Sequence, residues 1–387
     1  MFNIIYTIVI LIVYIISIAF IIIFSFKDKY KQSLPSRFFL RNNPKLKPNG
    51  IWFHSCSLGE AKAIKPLIDK FNIDDIRLTT TTNTGFGEIS KYSSQSRYLP
   101  FEILLPFWIK PQKTLVIMEA EYWYMLFLLS KLYGAKIVLI NARMSDNSYK
   151  NYLRFRWFYR KIFAFVDKIY AQSDIDRDRL ETLGATNIEV IGNIKLYKLP
   201  QTTRELDKPN SLIVTGASTH SGEDILILEA FKKFKEKNTN AKLILVPRHN
   251  FDKIVDLANN FANINQLSFS QYSQDKSLNS DIIVVDMLGE LINIYSISDI
   301  VIIGGSFIDG IGGHNVAEAS QFGCKIISGK YYFNQKDIYR SVSGIKIIDK
   351  NMLYQTLLDY QNSSSSKVLV KCDIEPILST IDDYIHR

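Results

Sequence analysis

The chain has 387 residues and a formal net charge of +9, and this length usually means two domains with sizeable cores. Its three cysteines, Cys56, Cys324 and Cys372, are too few and too widely spaced for a disulfide framework or a CxxC zinc site, which suits a reducing compartment. The positive charge favours an acidic partner: nucleic acid, anionic lipid or a phosphorylated substrate.

The chain begins with a long apolar segment. No charged residue occurs over 2–26, and about 20 apolar residues suffice to cross the hydrocarbon core of a bilayer. A cleaved signal peptide would instead have a positive start, a shorter apolar core and a small-residue cleavage site. The cations that follow, against only one acidic residue, are Lys27, Lys29, Lys31, Arg37, Arg41, Lys45 and Lys47. This excess is typical of a cytoplasmic flank, so we expect a single-pass anchor with the N-terminus outside and the remaining chain cytoplasmic, against an anionic leaflet.

After Gly50, short apolar runs alternate with helix-like stretches, a pattern typical of parallel sheets with crossover helices. The predicted strands of the first half are Ile51–Phe53, Ile76–Thr80, Thr114–Met118, Lys136–Ile140 and Lys168–Ala171. Those of the second half are Leu212–Thr215, Lys242–Val246, Ile282–Val285, Ile300–Ile303 and Lys325–Ser328. The predicted helices are Ala61–Lys70, Trp123–Leu132, Glu223–Lys237, Leu288–Ser296 and Asn315–Gln321.

These elements predict an α/β protein with two Rossmann-like domains, over 27–196 and 211–387, which face a cleft. A polar stretch that holds Pro200 and Pro209 forms the predicted linker, 197–210. Ligands of such sheets bind at the carboxyl ends of the strands. The motifs found at these ends are therefore the candidate functional residues.

Carboxylates follow two predicted strands of the first half. The stretch HSCSLGE ends at Glu60, which the helix dipole favours at this position and which could also be a general base, while Cys56 could be a nucleophile. MEAEYW places Glu119 and Glu121 two residues apart, which predicts both carboxylates on one side of an extended segment. Because clustered carboxylates are costly unless they are used or paired, Arg143 is the predicted partner, in a functional site or in a purely structural network.

The second half carries motifs suited to a nucleotide. GASTHSGED follows a strand and opens a helix, so either its N–H groups hold an anion, or Thr219 or Ser221 simply caps the helix. Arg248, at the end of the next strand, suits a phosphate or forms a salt bridge. In the glycine-rich GGSFIDGIGGHNVAEAS, Glu318 shares a helix face with Asn315, where a carboxylate can accept two ribose hydroxyls. Without a Walker lysine, GxGxxG or metal-ligand spacing, these motifs favour a nucleotide-sugar donor over an ATP–Mg site.

Basic and aromatic residues interleave in KNYLRFRWFYRK, residues 150–161. This pattern predicts either a membrane-surface helix or an ordinary amphipathic helix packed on the sheet. Nucleic-acid binding is the third option, and the apolar anchor argues against it.

Taken together, the motifs resemble those of the 3-deoxy-D-manno-octulosonic acid (Kdo) transferases of lipopolysaccharide synthesis in Gram-negative bacteria, which have the GT-B fold. The matching pieces, in the order of the family, are HSCSLGE, LTTTTNTG, MEAEYW, INARMS, AQSDIDRDRLETLGA, GNIKLY, GASTHSGED, LVPRH, DMLGEL, IIGGSF and GGHNVAEAS. They cover nearly the whole chain. There are two departures: ETELWPN of the family is EAEYWYM here, and GHNPLEP is GHNVAEA.

The resemblance implies transfer of Kdo from CMP-Kdo to a lipid A precursor (lipid IVA) at the cytoplasmic face of the inner membrane, without a metal or other cofactor. It implies that Glu60 is the catalytic base, which takes a proton from the acceptor hydroxyl as that oxygen attacks the anomeric carbon of Kdo. Glu119 matches a second essential acidic position, and Cys56 becomes a small filler. The residues expected to bind the donor are Gly216, Ser218, Thr219, Arg248, Gly305, Ser306, Asn315, Glu318 and, at the hinge, Lys195. Those expected to bind the acceptor are Ser57, Gly59, Thr82 and Arg143.

Two further hypotheses remain at this point. The chain could be another membrane-associated GT-B transferase that uses a UDP-sugar and a polyprenyl acceptor, in which case UDP rather than CMP binds. It could also be a non-catalytic lipid-binding relative, in which Glu60 and Glu119 are dispensable. The absence of GxGxxG after any strand argues against a dinucleotide-dependent enzyme.

Overall fold

The structure, a computed structural model, describes residues 1–369 and 372–386, except for the side chains at positions 146, 147 and 361. Within these residues the chain forms two compact units. The first holds Met1–Lys198 together with the C-terminal segment that begins at Cys372, and the second begins at Leu199. The boundary between Lys198 and Leu199 lies inside the predicted linker.

The first unit is built on a seven-stranded parallel sheet. Its strands are β1 (Ile51–His54), β2 (Ile76–Thr80), β3 (Ser96–Tyr98), β4 (Thr114–Met118), β5 (Lys136–Ala142), β6 (Lys168–Ala171) and β7 (Ile188–Val190). Their spatial order is β3-β2-β1-β4-β5-β6-β7. The order reverses direction between β1 and β4, so the carboxyl ends of these two strands meet at a topological switch point, where open α/β sheets bind ligands.

Helices cover this sheet. They are α1 (Phe2–Ser25), α2 (Ser33–Phe39), α3 (Leu58–Ala63), α4 (Lys65–Ile68), α5 (Asn83–Ile89), α6 (Leu105–Trp108), α7 (Tyr124–Leu132), α8 (Asp146–Arg154), α9 (Arg156–Phe163) and α10 (Asp174–Thr182). Successive residues of β4 point to opposite faces: Leu115 and Ile117 pack in one hydrophobic core, and Val116 and Met118 in the other. Because both faces are buried, β4 is a continuous apolar run from Leu115 to Met118, which makes it recognisable in the sequence.

Among the residues that the structure describes, α1 is the one helix long and apolar enough to cross a membrane. Its length and composition are those expected of an N-terminal anchor.

The second unit has a parallel sheet of the same kind. Its strands are β8 (Leu212–Thr219), β9 (Ala241–Pro247), β10 (Phe269–Gln271), β11 (Ile282–Val284), β12 (Ile300–Ile303), β13 (Lys325–Gly329), β14 (Val342–Ser343), β15 (Ile345–Ile348) and β16 (Lys367–Val368). Seven of them run in the order β10-β11-β9-β8-β12-β13-β15, while β14 and β16 form a separate antiparallel ladder. The helices are α11 (Glu223–Lys237), α12 (Phe251–Ile264), α13 (Tyr272–Asp275), α14 (Leu291–Tyr295), α15 (Val316–Ser320), α16 (Lys336–Arg340) and α17 (Leu353–Leu358). The switch point lies between β8 and β12.

The last helix, α18 (Glu375–His386), belongs to the first unit. Ile377 and Ile381 are fully buried in the same core as Val116 of β4, and the Tyr170 hydroxyl of β6 donates to the Pro376 carbonyl at 2.7 Å. The predicted second domain, 211–387, therefore needs correction at its C-terminal end. The apolar stripe of α18 completes the core of the first sheet.

Candidate functional site

Glu60 lies in the first turn of α3, directly after β1. The N-cap residue Ser57 donates its hydroxyl to Glu60 Oε1 at 2.8 Å and accepts the Glu60 N–H at 3.3 Å, while the Cys56 N–H donates to Oε2 at 2.8 Å. This is a variant of the capping box, so the helix-terminus interpretation of Glu60 is confirmed. Each carboxylate oxygen keeps a second lone pair, so the capping leaves Glu60 able to accept a proton.

Threonines at the end of β2 and just after it hold the loop that carries Glu60. The hydroxyls of Thr80 and Thr82 both donate to the Cys56 carbonyl at 2.9 Å, and Thr81 Oγ1 lies 2.8 Å from Cys56 Sγ. Gly85 permits this arrangement, because a Cβ there would lie 2.4 Å from Thr80 Oγ1 and 2.9 Å from Thr82 Oγ1. Thr82, expected to bind the acceptor, thus positions the Glu60 loop and caps α5.

A second carboxylate, Glu121, lies beside a buried chain of hydrogen bonds. Trp52 Nε1 donates to Thr79 Oγ1 at 2.8 Å, and Thr79 Oγ1 lies 2.9 Å from His54 Nδ1. Among the described hydrogen bonds the Thr79 proton has no acceptor other than His54 Nδ1, which assigns the imidazole proton to Nε2. That nitrogen lies 3.7 Å from Glu121 Oε2, beyond hydrogen-bond distance, and has no hydrogen-bond partner among the described residues. Glu121 Oε2 accepts the Trp123 indole N–H at 2.8 Å. Sequence reasoning missed His54 and Thr79, whose only signal was their place at adjacent strand ends.

Glu119 follows β4 in a left-handed conformation, with φ of 57°. Its carboxylate accepts Lys195 Nζ at 2.6 Å and Arg143 Nε at 2.9 Å. The predicted pairing with Arg143 is therefore confirmed. The prediction that Glu119 and Glu121 share one side of an extended segment is wrong, because the left-handed turn at Glu119 sends the two carboxylates to different partners.

These surroundings separate the pKa values of the carboxylates. Burial and the like charge of Glu119 raise the pKa of Glu60, although the Cys56 N–H and the Ser57 hydroxyl partly oppose the rise. Burial alone would also raise the pKa of Glu119, but Lys195 and Arg143 outweigh it and hold that pKa below its ordinary value. A carboxyl with a raised pKa next to one that stays ionised is an arrangement typical of acid–base chemistry.

The other predicted residues of the first unit lie around Glu60. A Cβ at Gly59 would meet only Ser57 Oγ, at 4.0 Å, so Gly59 leaves open space beside the carboxylate. Lys195, grouped with the donor residues in the sequence, lies with Glu119 in the first unit. Burial raises the pKa of the Cys56 thiol to about 12, which is inconsistent with a nucleophilic thiolate.

In the second unit, β8 continues four residues beyond its predicted end and includes Gly216. A Cβ at Gly216 would lie 2.8 Å from Leu245 Cδ2 and 3.1 Å from Ile227 Cδ1. Gly216, expected at the donor, thus serves the packing of β8 against β9 and α11. Ser218, at φ 53°, lies at the strand end, where a Cβ at Gly304 would come within 2.4 Å of its carbonyl oxygen.

Glu223, which sequence reasoning passed over, organises the glycine-rich loop. Its fully buried carboxylate accepts the backbone N–H groups of Gly305 at 2.6 Å, Ser306 at 3.1 Å and Phe307 at 2.9 Å. It also accepts the His220 N–H at 3.1 Å. The N–H groups of Gly305 and Ser306, expected to hold the donor, are therefore already paired within the protein.

The first turn of α11 has Gly222 at its N-cap, and no side chain among the described residues caps it. The Thr219 hydroxyl donates instead to the Asp224 carboxylate. The capped-helix interpretation is therefore wrong. The Glu223 N–H at this turn donates to the His220 carbonyl at 2.9 Å, and Glu223 and Asp224 both lie in the turn. Arg248 is exposed at the end of β9, where its N–H donates to the Thr219 carbonyl at 3.0 Å, and no ion pair involves its guanidinium within the described chain.

Asn315 and Glu318 interact as predicted. Asn315 caps α15 by accepting the Ala317 N–H at 2.9 Å, and its amide donates to Glu318 Oε1 at 3.1 Å. Burial raises the pKa of Glu318, while Asn315 and Arg248 oppose the rise.

Two histidines missed by sequence reasoning also lie beside Arg248. The Nε2 atoms of His220 and His314 are 2.9 Å apart. Burial and the neighbouring cationic groups lower the pKa of His314 to about 4. His314 is consequently uncharged at neutral pH, and burial also lowers the pKa of His220.

Two Rossmann-like parallel-sheet units, each with a topological switch point, place the chain in the α/β class of GT-B folds. Two solved structures share the fold. One is a Staphylococcus aureus MnaA–UDP complex, with a TM-score of 0.50 and 14% identity, which covers 87% of this chain and 97% of that chain. The other is the Neisseria meningitidis UDP-GlcNAc 2-epimerase bound to UDP-GlcNAc, with a TM-score of 0.50 and 10% identity, which covers 87% of this chain and 99% of that chain.

The chain belongs to the 3-deoxy-D-manno-octulosonic acid transferase family. It is 33% identical to the Haemophilus influenzae protein of that name over 365 residues, which cover 87% of this chain and 84% of the relative. The family model described as 3-deoxy-D-manno-octulosonic-acid transferase (kdotransferase) matches residues 32–198. A Fusobacterium nucleatum bifunctional glycosyltransferase/methyltransferase is 32% identical over 77% of this chain, which spans about half the length of that relative, 50%.

Proposed function

We propose that this chain transfers Kdo from CMP-Kdo to a lipid A precursor (lipid IVA) in lipopolysaccharide core synthesis, at the cytoplasmic face of the inner membrane. The observation that carries the proposal is the position of Glu60: its buried carboxylate follows β1 at the switch point of the first sheet and accepts hydrogen bonds from the Ser57 hydroxyl and the Cys56 N–H. Burial and the charge of Glu119 raise its pKa. A general base works best when its pKa approaches the working pH. The transferred sugar is inferred from the family to which the chain belongs. The acid–base chemistry is inferred from Glu60 and Glu119.

On the acceptor side, Glu60 removes the proton from a sugar hydroxyl as that oxygen bonds to the anomeric carbon of Kdo. The bond from this carbon to the phosphate oxygen breaks, and CMP leaves with the bonding electrons. Glu119, held by Lys195 and Arg143, remains ionised and raises the basicity of Glu60. Gly59 leaves space for the acceptor beside the carboxylate.

On the donor side, the phosphate of CMP-Kdo binds at the first turn of α11 and to Arg248. Backbone N–H groups at a helix N-terminus and a guanidinium both stabilise the charge that develops on a departing phosphate. Glu318, oriented by Asn315, accepts the ribose hydroxyls. Because these groups supply positive potential themselves, the proposed reaction includes no metal ion.

The partners in this proposal are CMP-Kdo, the lipid A precursor and anionic lipids of the inner membrane, and they do not include nucleic acid. Apolar α1 provides the anchor. The exposed cations of α8 and α9 suit phosphate groups at the membrane surface, which favours the membrane-surface interpretation of residues 150–161.

The test is to incubate the full-length protein in detergent with CMP-Kdo and a tetraacylated lipid A precursor, and to analyse the lipid by mass spectrometry. We expect a mass increase by whole Kdo units. In Glu60→Gln the rate should fall by about 10²–10⁴, the usual contribution of a general base, with CMP binding retained. Glu181→Gln, an exposed Glu on α10, is the matched control and should react like the wild type.

Three other outcomes would contradict parts of the proposed function. Unmodified lipid from protein that binds CMP would mean a different acceptor. Binding of UDP instead of CMP would favour a UDP-sugar transferase, and full activity in Glu60→Gln would exclude Glu60 as the base.

A further inference from the structure

We propose that α1 lies in the plane of the membrane as a monotopic anchor and does not cross it. This inference rests on the membrane location proposed above. It replaces the crossing helix, with its N-terminus outside, that the apolar segment and its basic flank predict. The reason is that both ends of α1 are attached to the same globular unit and flanked by the same sign of charge.

The N-terminal end of α1 packs on α7 and α9. The ring of Phe2 lies 5.1 Å from that of Tyr124 and 5.7 Å from that of Trp157, both edge-on. The Tyr124 hydroxyl donates to Asn3 Oδ1 at 2.6 Å. Tyr124, one of the departures from the family pattern, thus fixes the first turn of α1.

The middle of α1 is attached by two tyrosines. The Tyr6 hydroxyl donates to the buried Glu102 carboxylate at 2.6 Å, and Glu102 also accepts the Met125 N–H at 2.6 Å. The Tyr14 hydroxyl donates to the Phe38 carbonyl of α2.

The C-terminal end is attached to the same unit as well. Asn83 of α5 donates to the Lys29 carbonyl, four residues after the helix ends. Ile10 and Ile21 are buried, so one face of α1 is covered along most of its length.

These contacts conflict with a crossing helix. A helix of 24 residues is roughly 36 Å long at 1.5 Å per residue, and a bilayer core is about 30 Å thick. A crossing α1 would place its two ends on opposite sides, so the unit bound to both ends would have to extend through the hydrocarbon. Glu102 and the loops around it would then sit at membrane depth, where polar groups and irregular backbone are costly.

The distribution of charge leads to the same conclusion. Lys27, Lys29 and Lys31 follow the C-terminal end of α1. At the other end, Lys161 Nζ lies 4.9 Å above the Phe2 ring, beside a cavity of about 610 Å³ lined by Arg156, Trp157, Arg160, Lys161 and Ala164. Cations concentrate on the cytoplasmic side of membrane segments, so cations at both ends place both ends on that side. The cavity suits the phosphate of an anionic headgroup.

The face of α1 opposite the globular unit is apolar and open. Ile5, Ile12, Ile16 and Ile23 are 51%, 50%, 68% and 63% exposed, and at 100° per residue they project within about 20° of one direction. A continuous apolar surface of this length, with cations at both ends, matches a helix that lies in the interface of an anionic bilayer.

Depth measurement distinguishes the two geometries. In a Cys56→Ala background, single nitroxide labels at Ile5, Ile12, Ile16 and Ile23 are compared by collision with oxygen and with a water-soluble nickel complex, in vesicles that contain phosphatidylglycerol. We expect similar depths at all four positions. A profile that is deep at Ile12 and Ile16 and shallow at Ile5 and Ile23 would overturn the proposal. A label at Ser17, on the covered side, should be less accessible to oxygen than one at Ile16.

The sidedness of the N-terminus provides a second measurement. An epitope placed before Met1 should be protected from an impermeant reagent in intact spheroplasts and accessible after lysis, whereas labelling in intact spheroplasts would overturn the proposal. Kdo transfer is assayed on the same membranes. If the membranes show no Kdo transfer while the labelling results are as expected, the proposed function is refuted and the in-plane geometry of α1 is still supported.

Discussion

Glu60 combines a structural and a chemical property in one side chain. Its carboxylate satisfies N–H and hydroxyl donors at the start of α3, yet it is only 8% exposed beside other acidic groups. The donors stabilise its ionised form, whereas burial and the charge of Glu119 destabilise that form. Because the net effect is a raised pKa, burial and Glu119 outweigh the donors. The reactive property of Glu60 therefore depends first on its burial and then on the neighbouring carboxylate of Glu119.

Glu119→Gln should move the acid limb of the pH–rate profile to lower pH. Glu60 must be ionised to accept a proton, so kcat/KM rises as the pH rises through its pKa. Removal of the Glu119 charge takes away a repulsion that raises this pKa and leaves Lys195 and Arg143 nearby, and both changes lower it. The measurement is kcat/KM for Kdo transfer against pH, with Glu181→Gln as control. A limb that stays in place would show that Glu119 does not act electrostatically on Glu60.

Individual site residues could be recognised in the sequence more readily than the groups to which they hydrogen-bond. The pairing of Glu119 with Arg143 followed from the cost of unpaired carboxylates, and the contact of Asn315 with Glu318 followed from helical spacing. The contacts of Glu223 with the glycine-rich loop did not follow, because these partners are backbone N–H groups more than 80 residues away, which no side-chain pattern reveals.

Among the elements, the loop between β1 and α3 is positioned by its neighbour α5. Gly85 lies against Thr80 and Thr82, which in turn hold the Cys56 carbonyl. The end of β2 and the first turn of α5 both contact this loop. The conformation of these two elements therefore sets the position of Glu60 in α3.

Gly85→Ala should lower both stability and activity. Its Cβ would lie 2.4 Å from Thr80 Oγ1, so the threonine contacts must shift, at a cost of about 1–3 kcal/mol for overpacking, and the Glu60 loop is released. Gly87→Ala is the matched control: it lies on the same helix with nothing within 4 Å of the new Cβ, and alanine should stabilise the helix by up to about 1 kcal/mol. Thermal unfolding and the Kdo transfer rate are measured for both. Equal behaviour of the two variants would contradict the proposed role of Gly85.

The elements most visible in the sequence were long or apolar. Strands β2, β4, β6 and β12 and helix α11 have their predicted bounds. Among the strands, β12 is an unbroken apolar run, as expected of a strand buried on both faces. The predicted helix Ala61–Lys70 divides into α3 and α4 at Ile64, since Pro66 in the first turn of α4 provides no N–H. Strands β3, β7 and β10 have three residues each, too few for a periodic pattern to emerge.

Across the whole molecule, the chain builds the first unit from both of its ends. The two-domain α/β architecture followed from the alternation of strands and helices. The placement of α18 did not, because its apolar stripe shows that the helix needs a sheet to cover and does not show which of two similar sheets it covers. The first sheet is identified as the one that α18 covers by two observations. Ile377 and Ile381 pack in its core, and the Tyr170 hydroxyl donates to the Pro376 carbonyl.

Ile381→Ala should therefore loosen the first unit, although the substitution lies near the C-terminus. Ile381 is fully buried in the core that holds Val116, Val138 and Ile140, and truncation of a buried isoleucine costs about 2–5 kcal/mol. Hydrogen exchange measured by mass spectrometry should become faster in peptides of β4 and β5 and stay unchanged in those of β8 and β12. Ser379→Ala, exposed on the same helix, should leave both sets unchanged. Faster exchange confined to the second unit would instead assign α18 to that unit and restore the domain boundary predicted from the sequence.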